Sequence, residues 1–401
     1  MMRRTLVILL ALAIALTGVT APGRAQEAPP LVVFVVDNTL ETASVIDPGP
    51  DGLTRLAGIF QGLGARTAYI RLDQPIPAEA QGVVIVRPWR ATPNDVVARL
   101  FVHMAHGHHV LWAIDPTGHV RNRADTARGA MAQLVQTDYG VHLLDGFVWM
   151  PWFSRASIAE QATSYAWSVP APGADHPVIR PLVARDQPVM TWGARPVAVE
   201  PVGVGSWAQA LLAMEGGYGE TNAQVFRTAD PAPFELNLDA DLQGTLPIAA
   251  LAEQTEYGSR LALLGDSELV QNQFGLAQAL DGSPVYPGNR LLVERIAAWL
   301  LELPEETWPD LPETFAAPAP VPNGPMVRVT TTTPTANLRE GPGTETGIIT
   351  SVPNGAFFAA VGRNEAGDWV QVQADEGRGW LAAFLLTPNV EIATLPVVAV
   401  E

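Results

Sequence analysis

Cysteine is absent from the 401 residues, and so is lysine, so all 24 basic residues are arginine. Without cysteine there is no disulfide, no thiolate metal site and no thiol nucleophile; without lysine there is no Schiff-base amine. Positive charge is scarce as well, since 41 acidic residues leave a formal charge of −17 at pH 7. Phosphate contacts dominate nucleic-acid affinity, so a chain with this balance and no basic cluster is not expected to bind nucleic acid. Anionic lipid surfaces would repel it. Histidine occurs at only seven positions, the last of them His176.

What is present begins with Arg3-Arg4 ahead of the apolar run "TLVILLALAIAL", followed by Gly23 and Ala25 spaced for cleavage before Gln26. A positive flank, a short apolar run and small residues at the cut predict a signal peptide over residues 1–25. The chain is therefore expected to be exported, to the cell envelope or beyond it. The run is short for a bilayer span, which takes roughly 20 residues. An uncleaved anchor is the alternative, and no membrane insertion of the mature chain is expected.

From Leu31 onward apolar strands alternate with amphipathic helices. "LVVFVVD" reads as a strand buried on both faces, and "DGLTRLAGIFQGLG" as a helix with Leu53, Leu56, Ala57, Phe60 and Leu63 inward and Gly64 ending it. "ARTAYIRL" and "QGVVIVRP" follow as strands. "TPNDVVARLFVHMAHG" reads as a capped helix with Val97, Leu100, Phe101 and Met104 inward, and "HHVLWAID" as the next strand. This β-α-β-β-α-β order predicts an α/β domain with a largely parallel sheet. Between Phe147 and Phe234 helical periodicity fades, and "QPVMTWGA" and "WAQALLAME" suggest hairpins in an antiparallel extension. "GTLPIAALAEQ", "SRLALLGDS" and a last helix, "GNRLLVERIAAWLLEL", return to the α/β pattern, with Asn289 as its cap and Leu292, Ile296, Trp299 and Leu300 inward. Residues 303–326 carry seven prolines and read as a stiff spacer.

Five short β-prone runs between Gly, Pro and Asn turns make up residues 327–389 and predict a small all-β barrel, with 390–401 as a tail. The motif "NLREGPG" (Asn337, Leu338, Arg339, Gly341, Pro342), the Pro353-Asn354-Gly355 turn, "DWVQV" with Trp369 and "GRGWLAAFL" with Gly379 and Trp380 run through it. In that combination the segment resembles the bacterial SH3-like (SH3b) domain. The resemblance implies binding, to cell-wall peptidoglycan or an envelope protein, rather than catalysis. Trp369 and Trp380 are the aromatics that can line a ligand groove, and core packing is the plainer role for both.

"SRLALLGDSELVQNQFG", "PGNRLLVERIAAWL" and "GADHPV" (Gly173–Val178) give residues 26–302 a second resemblance. They are similar to uncharacterised exported families of the gliding-motility-type ABC-transporter auxiliary kind. These carry a glutamine-amidotransferase-like (flavodoxin-like) α/β fold. Class I amidotransferases use a cysteine nucleophile, so that chemistry is excluded here while the fold is expected.

Gly265-Asp266-Ser267 looks like the serine motif of GDSL-type esterases. No histidine follows Ser267, and the motif falls near the end of its domain, so no catalytic residue is assigned. The plainer reading is a strand-to-helix junction, with Asp266 or Ser267 capping "ELVQNQFGLAQAL". In a doubly wound sheet ligands sit at the carboxyl ends of the strands. Four strands end in polar groups, at Asp37-Asn38, Arg87, Asp115 and Asp266. Three carboxylates on one rim can coordinate Ca²⁺ or, with Arg87, bind a polar ligand; alternatively they cap helices and order loops. "HMAHGHH" is dense enough in imidazole for zinc. Helical projection nevertheless turns His103 and His106 outward, and His108 and His109 alternate across a strand. "NLDADLQG" lacks the turn glycine of a calcium loop, so Leu236, Leu238 and Leu242 fit a strand. No resident metal or cofactor is expected.

The functional expectation is an exported, non-enzymatic binding protein. Its SH3b module would dock on cell wall or a protein partner, and its α/β domain would hold a second partner or ligand. An SH3b-targeted envelope hydrolase with its site at the strand ends is the alternative. A structural subunit of an export complex is a third.

Overall fold

The computed structural model describes residues 28–398 apart from 37–45, 88–91, 117–126, 150–153, 156–162, 186, 201–204, 215–216, 227–236, 280–281, 312–324, 330, 332–334, 354–356, 375–376 and 389. The predicted signal segment, Asp37-Asn38 and Leu236 therefore lie outside the described residues. Among those described, no helix is long and apolar enough to cross a membrane.

β1 (Leu31–Val36), α1 (Thr54–Gly62), β2 (Arg66–Arg71), β3 (Ala80–Val86), α2 (Asn94–Ala105) and β4 (His109–Ala113) appear in the predicted order. β1 pairs in parallel with β2 and β3, and β3 with β4. Gly64, at φ +92°, takes the left-handed conformation that releases the chain from α1 into β2. α3 (Ala130–Tyr139) follows β4, and then the pattern changes as expected. The elements are now β5 (Val141–Leu143), β6 (Phe147–Trp149), β7 (Ser154–Arg155), β8 (Thr163–Pro170), α4 (Arg180–Ala184), β9 (Val189–Trp192), β10 (Val197–Val199), β11 (Ser206–Met214) and β12 (Tyr218–Glu220). β13 (Leu246–Gln254), β14 (Ser259–Leu264) and α5 (Pro287–Leu300) complete the domain.

The main sheet runs β2-β1-β3-β4-β14-β13-β11-β8-β7, with β9 pairing β8. It is parallel from β2 to β14 and antiparallel beyond. β14 is thus the hinge of the topology: it lies parallel to β4 on one side and forms a hairpin with β13 on the other. The sequence returns to the α/β pattern at β13, and the turn through Gly258 (φ +72°) folds that strand back as the antiparallel partner of β14. β9 and β11 pair with β8 rather than with each other.

Alternate side chains of the parallel strands leave on opposite faces, and both faces are covered. Val32, Phe34, Val84, Val86, Leu111, Ala262 and Leu264 meet Leu56, Ile59 and Phe60 of α1 and Leu292, Ile296 and Trp299 of α5. Val83, Ile85, Val110, Trp112, Leu261 and Leu263 meet Val96, Val97, Leu100 and Met104 of α2 and Met131 and Val135 of α3. The result is a three-layer α/β/α stack, which fixes the carboxyl ends of β3, β4 and β14 along one rim.

Several local expectations change. α2 starts after Pro93 without a side-chain cap, and its buried stripe runs Val96, Val97, Leu100, His103, Met104. Phe101 lies one step round the helix and is 40% exposed. Asn289 does not cap α5; it is fully buried inside the first turn, where its amide bonds both the N–H and the C=O of Met190. Leu238 is exposed in a turn rather than in a strand, and Asp241 organises that turn by accepting from the N–H groups of Asn237 and Thr221. The spacer is shorter than its composition suggests. Residues 303–311 pack on the α/β domain, through buried Leu311, Trp308 against the Arg295 guanidinium (5.2 Å) and Arg295 bonded to the Pro309 carbonyl.

The strands of the C-terminal region pair antiparallel: β15 (Met326–Val329), β16 (Thr335–Arg339), β17 (Ile348–Pro353), β18 (Phe357–Arg363), β19 (Trp369–Ala374), β20 (Gly377–Ala382) and β21 (Leu386–Pro388), in the order β17-β16-β20-β19-β18-β15-β21. Val327, Leu338, Val370, Val372 and Leu381 form its core. The expected tail belongs to this module. Arg363 and Val398 exchange backbone bonds with residues 396 and 363 beside β18, and Leu395 enters the core.

Candidate functional site

Three of the four polar strand ends converge. Arg87 follows β3, Asp115 follows β4 by two residues, and Asp266 follows β14 by two. All three are buried, and Glu268 joins them from the single 3₁₀ turn Ser267–Val270 that starts after Asp266. Carboxylate oxygens of Asp115, Asp266 and Glu268 lie within 4.8 Å of one another. Asp37, the fourth strand end expected from the sequence, is outside the described residues.

The network is built largely from backbone donors. The Ser267 N–H donates to Asp115 Oδ1 (2.8 Å), and the Ser267 hydroxyl donates to Asp115 Oδ2 (3.0 Å). Asp266 accepts from the Glu268 N–H at Oδ1 (2.9 Å) and from the Trp192 N–H at Oδ2 (2.7 Å). It is therefore the cap that the sequence suggested, although the helix it starts is one 3₁₀ turn long. Gln271 Nε2 donates to Ser267 Oγ (3.1 Å). Ser267 is fully buried and its hydroxyl sits between carboxylates and an amide, with no imidazole among its described hydrogen-bond partners to activate it as a nucleophile.

Arg87 supplies the positive charge. It holds φ +45°, an uncommon conformation for a side-chain-bearing residue, and its N–H bonds the Ala113 carbonyl. Its Nη1 has no hydrogen-bond partner among the described residues and lies 3.7 Å from Asp51 Oδ1. Asp51 arrives on a loop stapled over the rim: Asn272 Nδ2 donates to the Asp47 and Gly49 carbonyls, and its Oδ1 accepts from the Arg55 N–H.

Burial governs the electrostatics. It pushes the Asp266 carboxyl up to about 7, with the charge of Asp115 adding to the effect. Glu268 is pushed well above the usual carboxylate range by burial first and then by Asp115 and Asp266, while Arg87 opposes the shift. Buried like charges at this spacing cannot all ionise without a counter-charge.

Sequence reasoning missed Glu268, Gln271 and Asp51. The first two were legible only as members of a supposed amphipathic helix. A carboxylate two residues beyond a strand-ending Asp was the available signal.

His103, His106, His108 and His109 lie together at the opposite, amino end of β4. His103 is buried rather than solvent-facing, and its ring stacks on His108 at 4.7 Å. His106 is turned away, with Nδ1 on the Val102 carbonyl. His109 is buried and accepts from the Arg260 N–H. Among the described residues no three of these imidazoles come together as metal ligands.

In the C-terminal module Trp380 is only 4% exposed, while Trp369 is partly exposed and two positions away on the same face of the β19–β20 pair. Trp380 thus serves packing, and a groove on this face would be lined by Trp369.

Residues 334–386 match the bacterial SH3 domain family. No curated protein matches the chain. Among solved structures it is similar to the N-terminal domain of mmIFT52, at 13% identity over 67% of this chain and 96% of that one, with a TM-score of 0.41. It is also similar to a ThuA-like protein from Parabacteroides merdae (11% identity, 73% and 96% coverage, TM-score 0.39). A third is a cytoplasmic protein of Salmonella typhimurium, STM3548 (12%, 66% and 98%, TM-score 0.38).

Proposed function

We propose that this chain is an exported binding protein of the cell envelope, in which the SH3-like module docks on cell-wall peptidoglycan and the α/β domain holds a second ligand at its carboxyl rim. The observation that carries the reading is the bacterial SH3 domain over residues 334–386. The N-terminal pattern of Arg3-Arg4, a short apolar run and Gly23/Ala25 supports export. Sequestration of Ser267 between carboxylates supports binding rather than turnover, as does the absence of cysteine.

Co-sedimentation with purified sacculi tests the docking. The chain from Gln26 to Glu401 is compared with one ending at residue 314, which keeps the packed segment through Leu311. The longer chain is expected to pellet and the shorter one to stay in solution. Trp369→Ala should weaken pelleting about tenfold, since loss of one aromatic anchor costs on the order of 1–2 kcal/mol. If both chains stay in solution, peptidoglycan is not the docking target, and an envelope protein takes its place. Equal pelleting of both would move the wall contact to the α/β domain.

A further inference from the structure

A cavity of about 470 Å³ lies beside α2, at the end of the sheet opposite the carboxyl rim. Small-molecule sites occupy about 300–1,000 Å³ and are mostly apolar with a few polar groups. Pro75, Ile76 and Pro77 line this cavity from the segment between β2 and β3, and Ala98 and Val102 from α2. His106 and His108 line it from the approach to β4. Val102 is 53% exposed, an aliphatic side chain that the fold itself does not cover.

The polar groups at the cavity differ in how far they are already used. Arg99 Nη1 donates to the Asp73 carbonyl, and Nη2 donates to the Leu72 carbonyl and to the Asp95 carboxylate. It ties α2 to the end of β2 and has its own counter-charge. The imidazoles keep bonding capacity. His106 donates from Nδ1 to the Val102 carbonyl (2.6 Å), so in the neutral ring Nε2 is a lone-pair acceptor. Neither nitrogen of His108 has a hydrogen-bond partner among the described residues. Its ring stacks on that of buried His103, with centroids 4.7 Å apart and planes at 29°. Burial pushes both imidazoles down, His103 to about 4, so the stacked pair is neutral at pH 7. A neutral imidazole offers one N–H and one lone pair.

We propose that this cavity is a binding site for a small, uncharged aromatic molecule bearing a hydroxyl, of the phenol class. Proline rings and the aliphatic groups of Ile76 and Val102 suit the faces of a flat ring, and a ligand ring against His108 extends the imidazole stack. A phenolic hydroxyl donates and accepts at once, so it serves the lone pair of one imidazole and the N–H of another. A charged ligand would lose its hydration without gaining a counter-charge, because Arg99 is already paired. The site is separate from the carboxyl rim and independent of docking by the SH3-like module.

The test titrates the chain from Gln26 to Glu401, labelled at histidine for NMR, with phenol. Anisole, which lacks the donor proton, and benzoate, which is charged, are the comparators. Phenol is expected to saturate one site with a Kd of about 1 mM or tighter. The resonances of His106 and His108 should move, and that of His142, paired with Glu200 elsewhere on the domain, should not. Anisole and benzoate should each bind at least about fivefold more weakly, the effect of one lost hydrogen bond. Val102→Gln, at an exposed position, should weaken phenol about fivefold. His108→Phe keeps a flat ring on His103 but no nitrogen, and should erase the advantage of phenol over anisole. If that variant does not fold, Val102→Gln and the comparators decide. A parent chain that shows no saturation by about 10 mM phenol, tenfold above the expected Kd, overturns the proposal. So does binding that both variants leave unchanged, or benzoate binding as tightly as phenol. A parent dimer that Val102→Gln dissociates would assign this face to a second copy and overturn it too. Sacculus binding would be untouched by any of these results.

Discussion

Gly265→Ala is expected to destabilise the α/β domain by about 3 kcal/mol or more, or to prevent its folding. Gly265 joins β14 to the carboxylate rim. Its N–H bonds the Ile248 carbonyl (2.7 Å) and its own carbonyl accepts from the Arg195 N–H (2.6 Å). A Cβ at this position would stand 2.1 Å from the Arg195 carbonyl oxygen and 2.8 Å from that of Ile248. Both are backbone atoms, so no side-chain rotation relieves the contact. The segment that would have to retreat carries the Trp192 N–H that holds Asp266. It also carries the Arg195 side chain, fully buried and bonded to the Leu144 carbonyl and Asp145. Gly58 is the control. It lies in the middle of α1 with open space where a Cβ would go, so Gly58→Ala should stabilise the chain by about 0.5–1 kcal/mol. Urea denaturation read by tryptophan fluorescence compares the two. Equal stability of Gly265→Ala and the parent would mean that the rim is not built as described.

The rim was legible because of a general property of parallel sheets. Strands buried on both faces read as unbroken apolar runs, so the polar residue that ends each run marks one common edge. Arg87, Asp115 and Asp266 were found that way. Glu268 and Gln271 were not, because they depend on the chain tightening into a 3₁₀ turn after Asp266, which apolar spacing cannot distinguish from an α-helix. His103 was misplaced for a related reason. Taking Phe101 as part of the inner stripe of α2 rotates the helix and turns His103 outward, whereas the buried stripe centres on Leu100 and includes it. Asn289 illustrates a third limit. A helix-capping residue type in the first turn caps nothing when a neighbouring strand, here β9, offers it a complete backbone peptide to bond. The proline-rich segment was judged by composition alone, which does not register that Trp308 and Leu311 have a surface to pack on.

Stability should pass through a maximum near pH 6–6.5, with a steep acid limb and a shallow alkaline one. Three histidines create the acid limb. His103, His109 and His176 are pushed down to about 4, 3 and 4, each chiefly by burial. For His103 the charges of His108 and His106 add to the shift; for His109 and His176 nearby guanidiniums do, Arg260 above all. Geometry agrees, because Nδ1 of His109 and of His176 each accepts a backbone N–H, from Arg260 and Val178. A depressed histidine pKa means that the unfolded chain binds the extra protons. This stability is present above about 6.5 and is lost as pH falls toward 4, on the order of 3 kcal/mol for each of the two most buried. The carboxyls act with the opposite sign. Asp266 and Glu268 are raised, so the folded chain binds their protons, and stability falls as pH climbs from about 4 through 7 and beyond. Between pH 4.5 and 6.5 the two effects oppose each other. Below that range the unfolded carboxylates protonate too, their compensation ends, and the histidine effect acts alone. Thermal melts across pH 3.5–8.5 test this, with Asp266→Asn expected to flatten the alkaline limb and His109→Asn, which keeps an acceptor for the Arg260 N–H, the acid limb. An alkaline limb unchanged in Asp266→Asn would place the titrating proton elsewhere and remove Asp266 from the set of buried carboxyls that are neutral in the folded state.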